Sequence, residues 1–298
     1  MKAQTFSILA GSVACNARCP FCVSKMTPSR GIRLKEPGVN WEKFKRAAAY
    51  AREHGTETAM ITGKGEPTLF PKQITKYLDV MSGFGFRHIE LQTNGIRIAD
   101  EPNVYEQHLS DWYERGLDLI AISIVHYDAE RNRQIYLPYR KNYIDLPSLV
   151  ENLNDRKRKF KVRLACIALD GFIDSSSRLA DLIEFARKNG AEQLTVRPVN
   201  KTDRVDNGDP EVEKAAVFIN KYHLKDGQID DMRNYLARNG RHIRELHYGA
   251  TIYDVNGRSV CLTNSLTRDL NPNYLRQLIF FPEGRLLTDW QYEGEVPL

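Results

Sequence analysis

Cys15-Asn16-Ala17-Arg18-Cys19-Pro20-Phe21-Cys22 gathers three of the chain's five cysteines into eight residues, directly after the apolar run Phe6-Ser7-Ile8-Leu9-Ala10. A strand that ends in a loop carrying three thiols, with spacers of three and two residues, can converge on one metal centre. Soft thiolate ligands select zinc or iron with sulfur. A structural zinc closes its shell with four protein ligands, and the sequence-distant His54, Cys166 and Cys261 are the candidates for a fourth. A cubic iron–sulfur cluster held by three cysteines instead leaves one iron open to an outside ligand.

The remaining composition narrows the setting. At 298 residues, with 42% hydrophobic and 27% charged residues, the chain has the make-up of a soluble globular protein able to bury a sizeable core. No apolar run approaches the roughly 20 residues that span a bilayer, and the N-terminus makes a poor secretion signal, so the expected location is the cytoplasm. An odd number of cysteines, clustered, argues for metal ligation in a reducing compartment rather than a disulfide framework. The net charge of +5 suits an anionic substrate but falls short of a nucleic-acid signature, so nucleic acid is not an expected partner.

Outward from the cysteines, strand and helix patterns alternate. Asn40 caps a helix that carries Trp41, Phe44, Ala47 and Ala51 and stops at Gly55. Residues 57–62 read as a strand, followed by the turn Gly63-Lys64-Gly65-Glu66-Pro67 and a helix with Ile74, Tyr77, Leu78 and Met81 on one face. Residues 88–93 form the next strand, which ends at Asn94-Gly95, and a helix with Tyr105, Leu109, Trp112 and Tyr113 follows. Strands are expected at 118–125, 161–169 and 193–199, separated by helices around 128–136, 146–153 and 179–186. Six strands alternating with helices predict parallel βα units, wound either as an open sheet or as a full or partial barrel, with the ligand site at the carboxyl ends of the strands. A polar turn-rich stretch at 203–210 marks the end of this region. Beyond it two helices are expected, then a hairpin turning at Asn256-Gly257, and a last strand pair about Pro282-Glu283-Gly284.

With these residues in view, the chain resembles the radical S-adenosylmethionine superfamily, whose cluster motif Cys-x3-Cys-x2-Cys follows the first strand. Cys15, Cys19 and Cys22 match it position for position, and Phe21 matches the aromatic residue that packs near the adenine. The Gly65-Glu66-Pro67 turn after the second strand resembles the family's glycine-rich turn that holds the methionine amino group, with Lys64 standing where a glycine is usual. The resemblance extends more weakly to Asn94, Ser123, Arg163 and Arg197, each near the end of a strand where cofactor or substrate contacts are common. It implies an α/β fold, a partial (βα)6 TIM-like barrel over residues 1–200 with a C-terminal α+β extension over 201–298 that covers the barrel mouth. It also implies a [4Fe-4S] cluster and S-adenosylmethionine as cofactors, a reductant such as flavodoxin or ferredoxin, and reductive cleavage to methionine and a 5'-deoxyadenosyl radical that abstracts hydrogen from a substrate. A small molecule or nucleoside is the favoured substrate; a peptide, protein or RNA is the alternative. A non-catalytic iron–sulfur or zinc-binding module is the reading from another class. Outside the resemblance, the basic run at 156–159 reads as a solvated helix end. His126-Tyr127-Asp128 reads as a substrate-contact candidate or turn packing, and Cys166 as a buried hydrophobe.

Overall fold

Strand and helix alternate because apolar residues recur at spacing two and then at 3.6, and each switch is marked by a cap or a glycine. The computed structural model describes residues 2–29, 31–155, 157–202, 209–246, 249–263, 273–291 and 294–298. Six strands pair in parallel, in sequence order: β1 (Thr5–Leu9), β2 (Thr58–Thr62), β3 (His88–Thr93), β4 (Leu119–Ile124), β5 (Lys161–Ala168) and β6 (Gln193–Pro198). Between them lie α1 (Trp41–Glu53), α2 (Pro71–Met81), α3 (Pro102–Glu114), α4 (Ala129–Tyr136), α5 (Leu146–Leu153) and α6 (Ser176–Lys188). Asn40, Asp128, Asp145 and Ser175 cap α1, α4, α5 and α6 by accepting from the backbone three residues on.

The main core lies between the outer face of this sheet and the helices. Phe6, Ile8, Ile61, Leu91, Ile122, Leu164 and Val196 point outward against Phe44, Ile74, Tyr77, Trp112, Leu149 and Leu182, all buried in one cluster. The inner face reads differently. Register puts Gln92, Ala121, Arg163, Gln193 and Ser259 along one row and Ser123, Ala165, Thr195 and Cys261 along the next. These rows place polar side chains on the inner face where a closed barrel would stack aliphatic layers.

The C-terminal third continues the same sheet. After α7 (Pro210–Tyr222) and α8 (Asp226–Asn239) come β7 (Arg241–Glu245), β8 (Thr251–Val255) and β9 (Arg258–Leu262), then β10 (Leu278–Phe280), β11 (Leu286–Leu287) and β12 (Glu295–Val296). The sheet order is β12-β11-β10-β1-β2-β3-β4-β5-β6-β9-β8-β7. Strand β9 adds in parallel to β6 and β10 adds in parallel to β1, so the six core strands are flanked by one more parallel strand on each edge. The β8–β9 hairpin turns at Asn256 and Gly257 with φ of 53° and 76°, the left-handed pair that an Asn-Gly turn supplies. The architecture is α/β, a mostly parallel, partial TIM-like barrel. No described helix is long and apolar enough to cross a membrane.

Two details bear on the sequence reading. Of the residues named for α3, Tyr105, Leu109 and Trp112 are buried and Tyr113 is exposed. Arg158, expected on a solvated helix end, is 1% exposed and ion-paired to Glu106 at 2.7 Å, bridging α3 to the segment before β5. Its neighbour Arg156, and positions 203–208 of the expected boundary stretch, lie outside the described residues.

Candidate functional site

The cysteine loop is seated by the turn after β2. Gly65 lies so close to the loop that a Cβ there would stand 2.0 Å from the Ala14 carbonyl oxygen and 2.7 Å from that of Ser12. A Cβ on Gly63 would meet the Ala10 oxygen at 2.7 Å. The adjacent Glu66 N–H donates to the Ala14 carbonyl at 2.9 Å, and the Gly11 N–H donates to the Gln73 side chain at 2.6 Å. Both glycines of the turn are therefore required by backbone contact with the loop, whereas position 64 has room for a side chain. Lys64 uses it: the residue is 5% exposed, and its ammonium donates to Thr27 Oγ1 at 2.5 Å and lies 5.5 Å from the centre of the Trp290 ring.

The Glu66 carboxylate is fully engaged within the turn. Its Oε1 accepts from the Thr68 N–H at 3.0 Å and from the hydroxyls of Thr68 and Thr93, each at 2.6 Å; its Oε2 accepts from the Asn94 N–H at 2.9 Å. Burial pushes this carboxyl above the usual range, against the four hydrogen bonds that favour its charged form. Glu66 thus ties the end of β2 to the end of β3. Asn94 passes the connection on, donating through Nδ2 to Asn16 Oδ1 at 2.7 Å and to Cys15 Sγ at 3.8 Å. Tyr139 donates its hydroxyl to the Asn16 carbonyl, and the Arg18 N–H donates to the Tyr136 carbonyl at 2.9 Å.

The three thiols share one environment. Burial pushes Cys15 up to about 11, opposed by the Ala17 N–H that donates to its sulfur at 3.4 Å. Cys19 is pushed up further, by burial first and then by its neighbours Cys22 and Cys15. Among the described residues no three His, Cys, Asp or Glu side chains stand close enough to hold a single metal ion. The zinc shell considered above is not assembled: His54 gives its Nδ1 to the Tyr50 carbonyl at the far end of α1, Cys166 is in the outer core, and Cys261 is on the inner face. Three thiols on one short loop that do not converge on a single ion, one of them receiving N–H donors from Ala17 and Asn94, suit an iron–sulfur cube, which would take the three thiolates on three of its irons and leave the fourth open, better than one tetrahedral ion.

Around this centre the structure gathers Phe21, Gly65, Glu66, Pro67 and Asn94. Phe21 packs edge-on to Tyr136 at 6.4 Å and against Phe218 of α7 at 6.1 Å. Pro67 opens the short helical turn Pro67–Leu69 that Glu66 caps. Ser123, Arg163 and Arg197 stand farther along the lumen wall, on β4, β5 and β6. Arg163 pairs with Glu90 at 2.6 Å and holds Gln193 through Nε at 3.0 Å and Nη2 at 2.8 Å. His126 is 2% exposed; its Nδ1 accepts the Asp128 N–H at 2.9 Å and burial lowers its pKa to about 4, so it is a neutral ring in a packed turn. Sequence reading missed Thr68, Thr93 and Asn16 as the connectors, and Phe218 and Trp290 as C-terminal contributions. The Thr-Asn-Gly end of β3 was a legible turn signal, but its reach to Glu66 was not.

A family model described as the radical SAM superfamily matches residues 10–191, more than half the chain and including the three cysteines and the Gly63–Pro67 turn. The chain belongs to the radical SAM superfamily. It is accordingly an enzyme of a family whose cofactors are a [4Fe-4S] cluster and S-adenosylmethionine. Among curated proteins, this radical SAM chain is 30% identical over 122 residues to GTP 3',8-cyclase of Vibrio vulnificus (41% of this chain, 34% of that protein). It is 27% identical over 211 residues to GTP 3',8-cyclase of Haemophilus ducreyi (69% of this chain, 56% of that protein). The match thus spans about a third of the length of the first and just over half of the second. Among solved structures, Streptococcus suis SuiB bound to S-adenosylmethionine superposes with a TM-score of 0.60 at 13% identity, over 96% of this chain and 60% of that one. A radical SAM methyltransferase from Sphaerobacter thermophilus gives 0.56 at 15% identity, over 87% and 66%. These likenesses concern the fold.

Proposed function

We propose that this protein reductively cleaves S-adenosylmethionine at a [4Fe-4S] cluster held by Cys15, Cys19 and Cys22, and abstracts hydrogen from a small molecule, a nucleoside or nucleotide being favoured, in the barrel lumen. The observation that carries the reading is the contact of the cysteine loop with the Gly63–Pro67 turn, because it sets the thiols beside the turn that resembles the family's methionine site. When bound, the cluster supplies one electron to S-adenosylmethionine, which on cleavage to methionine provides the 5'-deoxyadenosyl radical. The chain's own residues hold and shield. Gly65, Glu66 and Pro67 fix the turn next to the loop, and Asn94 steadies Cys15 and Asn16. Phe21, backed by Tyr136 and Phe218, offers an aromatic face for a nucleoside base. Ser123, Arg163 and Arg197 supply polar groups on the wall that the substrate end of the cofactor would face. The lumen keeps water from reactive intermediates by enclosing them between strands and the C-terminal segment, here read as a unit of residues 201–298 beside the core of 1–200.

The name of the curated relatives supports a nucleotide as substrate. An electron donor such as flavodoxin or ferredoxin and a cytoplasmic setting complete the reading. Anaerobic reconstitution with iron and sulfide is expected to give a brown protein that releases 5'-deoxyadenosine from S-adenosylmethionine in the presence of dithionite. Cys19→Ala is expected to lose both colour and cleavage. A wild-type protein that stays colourless and inactive after reconstitution would sink the proposal.

A further inference from the structure

Two tyrosines packed against the cysteine loop carry hydroxyl groups that the fold itself does not use. They bound the segment from Tyr136, the last residue of α4, to Tyr143, which grips the loop at several points. The Tyr136 carbonyl accepts from the Arg18 N–H at 2.9 Å, and the Tyr136 ring stands edge-on at 6.4 Å to Phe21, which lies between Cys19 and Cys22 in the sequence. Tyr139 donates to the Asn16 carbonyl, and the Arg18 guanidinium lies 4.9 Å from the centre of the Tyr139 ring. Tyr143 returns to Tyr136, ring to ring at 6.3 Å, and packs with Ala17, Cys19 and Phe21 against the core that contains Tyr136. Contacts with Asn16, Arg18 and Phe21 thus bracket Cys19 from this one segment.

The hydroxyl oxygens of Tyr136 and Tyr143 are both buried, and among the described residues neither has a hydrogen-bond partner. Tyr136 as a whole is 2% exposed. A buried donor without an acceptor costs its desolvation, and phenylalanine would fill the same space without that cost. The other unpartnered buried side-chain atoms, on Ser7, His126, Arg158 and Arg258, lie singly in different parts of the chain. Only here do two stand on neighbouring rings, and those rings belong to the segment that grips the loop. Burial keeps both phenols protonated, and the charge of Cys19 raises each of them further, which agrees with sulfur as the nearby acceptor. The thiolates and sulfides of an iron–sulfur cube accept hydrogen bonds and have none to donate, so the two hydroxyls fit such a group; bonds of this kind help set its potential.

We propose that Tyr136 and Tyr143 donate hydrogen bonds to the sulfur atoms of the cluster held by Cys15, Cys19 and Cys22, and thereby raise its reduction potential. The protons stay on the phenol oxygens. Each bond strengthens when an added electron increases the negative charge on sulfur, so the two tyrosines favour the reduced state. The inference rests on the cluster reading above and adds to it two residues outside the cysteine motif that govern how readily the centre takes its electron.

The test compares the anaerobically reconstituted full chain with Tyr136→Phe, Tyr143→Phe and the double variant. At equal iron per chain, a redox titration followed by electron paramagnetic resonance is expected to give a more negative midpoint in each single variant. In the double variant the reduced-to-oxidised ratio at a fixed poise should fall on the order of tenfold, about 59 mV for one electron. In heavy water, pulsed resonance of the reduced wild type should show exchangeable deuterons coupled to the cluster, and the double variant should lose them. Before reconstitution each single variant should melt at or above the wild-type temperature, since it has lost only an unpartnered hydroxyl, and should gain less from reconstitution. Tyr113→Phe, at an exposed ring on α3, is the control and should match the wild type throughout. Where Tyr136→Phe fails to fold by circular dichroism, Tyr143→Phe carries the test with the same signs. A folded, iron-loaded double variant with the wild-type midpoint and deuteron couplings overturns the proposal and leaves the cluster reading standing, as does an equal shift in Tyr113→Phe. A wild-type protein that takes up no iron overturns the cluster reading and this proposal with it.

Discussion

Gly65 is where a single atom decides whether the cysteine loop can be seated. A methyl group there meets two backbone oxygens, those of Ala14 and Ser12, at 2.0 and 2.7 Å, and backbone cannot swing aside as a side-chain tip can. Gly65→Ala should therefore force the loop off the turn, break the Glu66 N–H to Ala14 hydrogen bond, and cost about 1–3 kcal/mol. We expect lower iron per chain after reconstitution and a melting temperature several degrees below wild type. Gly83→Ala has nothing within 4 Å of the new atom and serves as the comparison, expected to match wild type in both measurements. Should the two variants behave alike, the contact between turn and loop is not what seats the centre. The same geometry explains Lys64: the turn needs glycine at 63 and 65, where the loop presses on it, and accepts a long side chain between them.

At the scale of elements, α7 supports the cysteine loop from the C-terminal part of the chain through two contacts of different character. One is the ion pair of Lys25 with Glu211 at 2.9 Å, with 41% and 50% of the two side chains exposed; the other is the Phe21–Phe218 ring contact at 6.1 Å. Exposed ion pairs contribute little, about 0–1 kcal/mol, because water solvates both partners well, whereas a half-buried aromatic contributes about 1–2 kcal/mol. Phe218→Ala is thus expected to lower the melting temperature and to weaken S-adenosylmethionine binding severalfold by calorimetry, since Phe21 loses its backing ring. Glu211→Gln should change neither appreciably; the reverse order of effects would refute this division of labour. The core elements themselves were legible because their signals are local. The six βα units follow from spacing, caps and glycines, and the alternation of Lys161, Arg163, Ala165 and Ile167 with Val162, Leu164, Cys166 and Ala168 already separates a lumen face from a core face. What joins the elements was less legible. Thr93 and Asn94 complete the Glu66 cradle from a different strand, and Arg158 turned inward to Glu106 although its basic neighbours suggested a solvated run. In both cases the partner lies dozens of residues away, and no periodicity reports it.

In the whole molecule, the least legible feature is that the C-terminal strands continue both edges of the sheet. Strand β10 pairs in parallel with β1, so it abuts the strand from which the cysteine loop departs. On the inner side, Ile279, Phe281 and Leu287 pack with Leu9 and Ile32 in a small separate core, with Val13 and Trp290 at its margin. That core flanks the loop at both ends, since Leu9 precedes the cysteines and Ile32 follows them. Leu278, Ile279, Phe280, Phe281, Leu286 and Leu287 are each at most 1% exposed, and burying six such side chains contributes roughly 10 kcal/mol, comparable to the 5–15 kcal/mol net stability of a whole domain. A chain ended at residue 276 should therefore lose its fold rather than merely an appendage, exposing the β1 edge to association. Gel filtration and far-ultraviolet circular dichroism are expected to show aggregated or unstructured protein that takes up no iron. A truncated chain that stays monomeric, keeps native helix content and still turns brown on reconstitution would show that the cysteine loop is held by β1 and the Gly63–Pro67 turn alone, with the C-terminal hairpin serving the lumen only.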